Sequence, residues 1–562
     1  MPSLGKPLIE CVPNFSEGRD MAVIRQITDA VEQVEGVKLL DVDPGKATNR
    51  TVVTFVGEPS VVIEAAFRAI AKAAEVIDMS KHSGEHPRMG ATDVCPLIPI
   101  ANISMEETAA FAHELGERVA QELGIPIYMY ESAASRPERR NLATIRAGEY
   151  EGLATKLAKP EWSPDYGEAV FNPKSGATVI GARDFLVAYN VNLNTTSVKR
   201  ANSVAFDVRE KGRILREGDS VTGDMLRDEH GAPRRSAGAC KAVKAIGWYI
   251  AEYGIAQISM NLTNINITPL HIAFEECRKS ADRRGLRVTG SELVGLVPLK
   301  VLTDTGRYFL KKQRRSLGVS ESELIHIAVK SLGLDELAPF DPQKKIIEYQ
   351  LAEATPSPLA AMDLRRFADE AASESPAPGG GSVAAYVGAL GAALAAMVAN
   401  LSAGKRGWED RWESFSDGAE QGQAIKYELL RLVDEDTRAF NAIMEAFRLP
   451  KGSEAEILAR KQAIQAATLY AAEVPLQVMR TASSAWQLVL EMVEKGNPNS
   501  ASDGGVGALC LRTAIMGAGL NVKINVAGLD DKALAKHLSE EAERLMQEAV
   551  AWEGRVLKLL KM

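Results

Sequence analysis

Residues 37–57 read VKLLDVDPGKATNRTVVTFVG. Two runs rich in Val, Leu, Thr and Phe flank Pro44 and Gly45. That pattern predicts two strands joined by a turn. Upstream, LIECVP reads as another strand. Between it and the pair, residues 16–34 place Ile24, Ile27, Val31 and Val34 at helical spacing. Downstream, 61–77 is helical in pattern and DVCPLIPI is a further strand.

The resulting order, β-α-β-β-α-β, is the split βαβ or ferredoxin-like arrangement. A helix over 106–123 and a short strand, IPIYMY, follow it. The order recurs after residue 184. DFLVAYNVNL is a strand, 196–211 a helix, KAVKAIGWY and IAQISMNL strands, 269–283 a helix, and RVTGSE leads onward. Residues 1–183 and 184–335 are therefore expected to form two related α/β lobes. Residues 336–360 carry four prolines and no sustained period, which suggests a linker. Residues 361–562 are helical throughout in pattern and suggest an all-α bundle.

With 562 residues, about three or four domains are expected. A quarter of the residues are charged and the net charge is −8, which gives no support for general nucleic-acid binding. Five scattered cysteines without a C-x-x-C argue against a disulfide framework or zinc ribbon. With no charged-then-apolar signal segment, the expectation is a reducing, cytoplasmic compartment. Residues 382–401 carry no charge, but Ala and Gly dominate them and no partner span is evident. A buried helix is expected there, without membrane insertion.

Five constellations could carry chemistry. KHSGEHPRMG (81–90) contains His82 and His86 in an H-x-x-E-H string that, on a helix, could bind zinc. Gly84 and Pro87 oppose that helix. The long loop also gathers Glu85, Arg88 and Asp93, which favours proton transfer over a metal or a solvated loop. Asp41 and Asp43, with Asn49 and Arg50 nearby, fit either an imidazole-orienting carboxylate or a plain Asp-Pro-Gly turn. Asn190, Asn192 and Asn194 share one strand face, suited either to a heterocycle or to a solvent-facing edge. Gly379, Gly380 and Gly381 open the uncharged helix, whose first amides could meet an anion. That helix has a small-residue stripe, read as packing, with subunit contact one option. In 425–447, Asp436 lies within an apolar helical stripe while Asp434 points away. A carboxyl on the buried face should titrate high and could act as a general acid.

Longer strings resemble one family. ECVPNFSEGRD, LLDVDPGKATNRTVVTFVG, DMSKHSGEHPRMGATDVCPLIP, TIRAGEYEGL and GARDFLVAYNVNLN resemble the formiminotransferase domain. ESPAPGGGSVAAYVGALGAALAAMV and LVDEDTRAFNAIMEAFRLPK resemble the cyclodeaminase domain. Together they resemble the formimidoyltransferase-cyclodeaminases of histidine breakdown, in the same order and over nearly the whole chain.

The resemblance implies transfer of a formimino group from N-formimino-L-glutamate to N5 of tetrahydrofolate. Cyclodeamination to 5,10-methenyltetrahydrofolate with loss of ammonia would follow. It implies His86 as the transferase histidine and Asp436 as the cyclodeaminase acid. It also implies a folate-contacting stretch of Gly167, Glu168, Ala169, Val170, Phe171, Asn172, Pro173, Lys174, Ser175 and Gly176. Around these, Asp43 is expected to orient His86. Arg50 or Arg88 would hold a substrate carboxylate, and His82 would lie on the substrate side or order the loop. Asn190, Asn192, Gly379, Gly380 and Gly381 complete the expected binding set. No metal and no tightly bound cofactor is expected; polyglutamylated tetrahydrofolate is the co-substrate, and a dimer-based homo-oligomeric ring is implied. The basic run at Lys311, Lys312, Arg314 and Arg315 reads as a solvated helix face or a hold for a polyglutamate tail. The alternatives are an N-formylglutamate donor, a metal-dependent hydrolase, and a folate-binding scaffold without turnover.

Overall fold

The computed structural model describes residues 7–46, 48–84, 87–218, 223–352 and 359–560. His86 and Glu85 lie outside the described residues. The chain divides into two compact units. One comprises Met1–Leu302 with Val329–Leu351, the other Thr303–Ala328 with Ala352–Met562.

The strand pair read from 37–57 forms as β2 (Lys38–Gly45) and β3 (Arg50–Gly57), antiparallel, with Asp43 opposite Val52. Strand β1 (Leu8–Cys11) lies between β3 and β4 (Thr92–Ala101), antiparallel to both. Strands β5 (Ile127–Glu131) and β6 (Thr178–Ala182) extend the sheet in parallel, with β6 inserted between β4 and β5. The sequence reading missed β6, because TVIGA is too short for a periodic signal. Helices α1 (Met21–Glu32), α2 (Pro59–Val76) and α3 (Met105–Leu123) supply apolar side chains to one face, against Ile9, Phe55 and Leu97. The first helix starts five residues later than its apolar spacing suggested. Asp20 caps it, accepting the N–H groups of Ala22 and Val23, while the Ser16 hydroxyl bonds Gly90 O.

The second sheet contains β7 (Val187–Leu193), β8 (Val243–Ile250), β9 (Ile255–Leu262) and β10 (Val288–Val294). Its order is β8-β9-β7-β10, all antiparallel. In the first sheet β2-β3-β1-β4 follow one another in the same relation, so the two lobes share a connection order. Helices α4 (Val198–Val208) and α5 (Leu270–Asp282) follow β7 and β9.

Residues 336–351 are not the free linker their prolines suggested. Ile346 and Ile347 are buried, and Ile346 bridges Val297. Apolar anchoring outweighs the turn-forming composition there.

The helical unit is built around α6 (Gly380–Ala403), α7 (Trp412–Arg448), α8 (Glu454–Ser483), α9 (Trp486–Lys495), α10 (Ala501–Val526) and α11 (Lys532–Leu559). The small stripe of α6 is buried within the unit rather than offered to another subunit. A Cβ on Gly391 would lie 2.9 Å from Gly507 O, and one on Gly388 3.0 Å from Ala514. These contacts seat α6 against α10, a second helix apolar enough to pass for a membrane span, contrary to the expectation of none. Several large side chains of α6 are exposed, Val383, Leu390, Met397 and Leu401, while Val398 is fully buried; Leu509, Leu520 and Ile524 of α10 are exposed too.

Candidate active sites

The loop that carries His82 is pinned from two sides. His82 Nε2 is 2.9 Å from Asn49 O, and Nδ1 accepts from Arg88 Nε at 3.2 Å. The guanidinium fixes Nδ1 as the acceptor and leaves the proton on Nε2. Burial holds the ring below its usual pKa; the Asn49 carbonyl opposes this and the nearby Arg88 charge adds to it. With both nitrogens hydrogen-bonded, His82 ties the loop to Asn49 and Arg88. Among the described residues no cluster of three metal-ligating side chains exists.

Arg88 is buried and fully engaged. It pairs with Glu151 through two nitrogens, at 2.5 and 3.0 Å, and with Glu149 at 3.1 Å. A substrate carboxylate would have to displace these partners, so the geometry makes Arg88 an anchor of the loop. Asn49 is the second anchor. It sits at φ +48°, its amide donates to Ser83 O at 2.9 Å, and its carbonyl accepts Gly18 N–H at 3.1 Å. Gly84 packs so closely that a Cβ would lie 2.4 Å from Thr48 O. Asp93 secures the far end: fully buried, it takes Met89 N–H at 3.0 Å and the Arg146 guanidinium. Thus anchors flank Glu85 and His86 on both sides. His82, Ser83, Gly84, Arg88, Gly148, Glu149 and Glu151 line an open pocket of about 480 Å³. Sequence reasoning missed Glu149 and Glu151, although GEYEG spaces two acids to one side of a glycine turn. It also noted Asn49 only as a neighbour of the 41–45 loop, without a role of its own.

The polar sheet faces hold the remaining transferase candidates. Asp43 accepts the Gly295 N–H; burial raises its carboxyl, Lys345 pulls it down and Glu292 pushes it up. Its charged neighbours include Lys345, Glu292, Arg50 and Asp41. Arg50 is half-buried, and desolvation with the nearby Arg146 lowers it to about 10, which leaves it charged at neutral pH. Glu10 stands out on β1: burial raises it to about 7, with Arg183 opposing.

Asn190 and Asn192 are not on a solvent-facing edge. Strand β7 is interior, and both are buried. Asn190 donates to Glu292 at 3.2 Å, Gln257 donates to Asn192 at 2.8 Å, and Asn192 donates to Glu336. Asn194 is instead exposed.

The stretch 167–176 divides in two. Gly167, Glu168, Val170, Phe171, Asn172 and Pro173 line a pocket of about 700 Å³ with Glu117 and Gln121 of α3, whereas Ala169 is not in its lining. Lys174, Ser175 and Gly176 form a turn against the base of the His82 loop. Ser175 O accepts Ala91 N–H, Lys174 O accepts Met79 N–H, and Lys174 Nζ bonds Glu75 O. Gly176, at φ +68°, lies where a Cβ would meet Met89 O at 2.1 Å.

In the helical unit Asp436 of the apolar stripe meets the first turn of α6. Asp436 faces the start of α6, where the Ser382 hydroxyl donates to Oδ2 at 2.9 Å. The Ser382 backbone N–H also donates to this carboxyl; burial nonetheless raises its pKa. Asp434 does not point to solvent. It is buried and accepts Leu359 N–H at 3.0 Å. Helix α7 is covered on more than one side up to Val433, whereas Phe447 is exposed, so a single stripe described it poorly.

The triple glycine now has a packing reason. A Cβ on Gly381 would fall 2.1 Å from Asp436 Oδ1. Gly380 lies beside Asn521 of α10, and around Gly379 a Cβ would meet nothing closer than 4.0 Å. The group met by the first turn of α6 is therefore the chain's own Asp436 carboxyl. Ser382, which the sequence reading left out of the site, completes it.

Family profiles match in chain order: a formiminotransferase domain N-terminal subdomain over 8–183, a formiminotransferase domain over 188–352, and formiminotransferase-cyclodeaminase over 363–544. The formimidoyltransferase-cyclodeaminase of Mus musculus is 44% identical over 555 residues, 99% of each chain. The glutamate formimidoyltransferase of Streptococcus pyogenes serotype M1 is 42% identical over 304 residues, 54% of this chain and 93% of its own. The methenyltetrahydrofolate cyclohydrolase of Methylorubrum extorquens is 38% identical over 198 residues, 35% of this chain and 95% of its own.

Proposed function

The chain belongs to the formimidoyltransferase-cyclodeaminase family, and we infer from that membership that it is a bifunctional folate enzyme. It transfers the formimino group of N-formimino-L-glutamate to N5 of tetrahydrofolate. It then closes 5-formiminotetrahydrofolate to 5,10-methenyltetrahydrofolate and releases ammonia. These are steps of histidine degradation.

The transfer needs one proton removed from N5 and one delivered to the departing glutamate nitrogen. A single imidazole near neutral pH can do both. We assign that role to His86, on the stretch bounded by the Asn49–Ser83 and Arg88–Glu151 anchors. Arg50 supplies positive charge for a substrate carboxylate, and Asp43 shapes the charge of the same sheet face. His82 and Arg88 hold the loop in place. Asn190 and Asn192 act through the Glu292 and Glu336 network. The pocket beside 167–173 receives the folate.

In the second step N10 attacks the formimino carbon and the amino group leaves as ammonia. Asp436, whose carboxyl burial raises above the usual carboxylate range, donates the proton, and substrate approaches from the open side of Gly379 and Gly380. The observation that carries this reading is the Asp436–Ser382 pair, an acid on a helix face predicted from sequence and seated on the glycine turn. The transferred carbon keeps its oxidation state throughout, so neither step calls for a redox cofactor.

The finer architecture follows the shared strand order: each lobe is a ferredoxin-like unit, extended in the first by β5 and β6. The exposed apolar stripes of α6 and α10 suit burial against another copy, as in a dimer-based ring. Five free cysteines, two of them with sulfurs 3.5 Å apart, suit a reducing cytoplasm.

The purified chain, given tetrahydrofolate and N-formimino-L-glutamate, is expected to form 5,10-methenyltetrahydrofolate with one ammonia per turnover. N-formyl-L-glutamate is expected to be a poor donor. Methenyl product without ammonia, or equal use of the formyl donor, would contradict the reading. Kinship of the helical unit to a cyclohydrolase supports a second reading, hydrolysis of supplied 5,10-methenyltetrahydrofolate, which the same assay without donor tests.

A further inference from the structure

The start of α6 differs from an ordinary helix N-terminus in what fills it. The first amides of a helix lack intrahelical partners. Here Gly379 is the N-cap and offers no side-chain bond. The Ser382 N–H, at the third helical position, goes to Asp436, fifty-four residues away. The Ser382 hydroxyl is buried and donates to Asp436 Oδ2. It also lies 3.4 Å from the Thr437 hydroxyl. Gly381 is the clearance: any Cβ would overlap both carboxyl oxygens, at 2.1 and 2.7 Å.

We propose that the first turn of α6 is the positioning device for Asp436, with Ser382 fixing Oδ2 as the acceptor oxygen so that Oδ1 carries the transferable proton. This rests on the reading of Asp436 as the cyclodeamination acid. A protonated carboxyl has one acceptor-type oxygen and one O–H. The serine hydroxyl selects between them. When the proton leaves for the departing amino group, the negative charge forms against donors already aimed at it.

The neighbouring charges are engaged elsewhere. Glu435 is held by Tyr470, Arg431 and Arg438; Asp434 is held by Leu359 N–H; and α10 contributes the neutral Asn521 beside Gly380. Besides burial, the groups that act on Asp436 are those of Ser382. Removing the hydroxyl therefore takes a donor from the ionised form and moves the titration to higher pH.

The test follows cyclodeamination of supplied 5-formiminotetrahydrofolate by the full chain across pH, in wild type, Ser382→Ala, Ser382→Thr, Gly381→Ala and Asp436→Asn. Ser382→Ala is expected to lower kcat about tenfold, the scale of one hydrogen bond to a charged group. It should also shift the alkaline limb to higher pH. Ser382→Thr, which keeps the hydroxyl, should return the limb to its wild-type position. Gly381→Ala should cost about a hundredfold at every pH, while transferase activity in the same sample reports an intact chain. An unmoved limb in Ser382→Ala, or wild-type turnover in Gly381→Ala, would overturn the positioning role while leaving Asp436 as the acid. Wild-type turnover in Asp436→Asn would overturn both.

Discussion

The two candidate sites are held by opposite means. In the transferase unit the His82 loop is tied by charge and by paired polar groups: Arg88 to Glu149 and Glu151, Asp93 to Arg146, Asn49 to Ser83. In the helical unit Asp436 is placed by backbone amide, hydroxyl and the absence of a side chain at Gly381. A loop between a helix and a strand has no repeating lattice to hold it, so side chains must supply the constraint. A helix face is already rigid, and needs only a neighbour of the right shape. The difference predicts that the transferase should respond to charge and to acid, and the cyclodeaminase to added volume.

The comparison breaks most visibly at Arg88. Arg88→Ala leaves Glu149, Glu151 and the His82 ring without their shared partner, costing about 2 kcal/mol locally. Transferase kcat is expected to fall about a hundredfold, within the range for a misplaced catalytic group, with cyclodeamination unchanged. Equal loss of both activities would show that the anchor serves the whole chain instead. Gly84→Ala should be milder, about tenfold, because Thr48 O can shift a little to relieve the 2.4 Å approach. Wild-type transferase activity in that variant would mean the loop does not depend on its contact with the Thr48 turn.

Asp434→Ala sharpens the contrast from the other side. It leaves the buried Leu359 N–H unpaired, so the helical unit should lose about 1–3 kcal/mol. Thermal unfolding would show this, with transferase turnover unaffected.

The smallest effect is on the pH dependence. His82 titrates below its usual value of 6.5 in the folded chain, so the unfolded chain binds the extra proton more readily. The clamp is complete above about pH 6.5 and weakens as pH falls through the folded value. Transferase activity should therefore decline with acid before cyclodeamination does, since falling pH only favours the proton-bearing form of the Asp436 carboxyl. Parallel acid limbs for the two activities would remove His82 from this account.

Much of this was legible in the sequence, for reasons that can be named. The 37–57 pair, the five helices facing the two sheets and the Asp436 stripe all follow from periodicity. The loop at 81–90 announced itself by length and charge. What escaped depends on contacts distant in sequence. Glu149 and Glu151 matter because they meet Arg88, and Ser382 because Asp436 arrives from another helix. The burial of Ile346 beside Val297 overruled a proline-rich composition. Asp434 leaves its helix on the side away from Asp436, as the spacing implies, but that side is covered too, because the helix is packed on several sides. Strand β6, five residues long and buried throughout, has no alternation to read.

The central claim is that two independent proton carriers divide the work, His86 in the α/β unit and Asp436 in the helical unit. The most direct measurement assays both half-reactions in His86→Ala and Asp436→Asn of the full chain. His86→Ala should abolish formimino transfer and still cyclise supplied 5-formiminotetrahydrofolate at the wild-type rate. Asp436→Asn should do the reverse, accumulating the 5-formimino compound. Loss of both activities in either folded variant would contradict it.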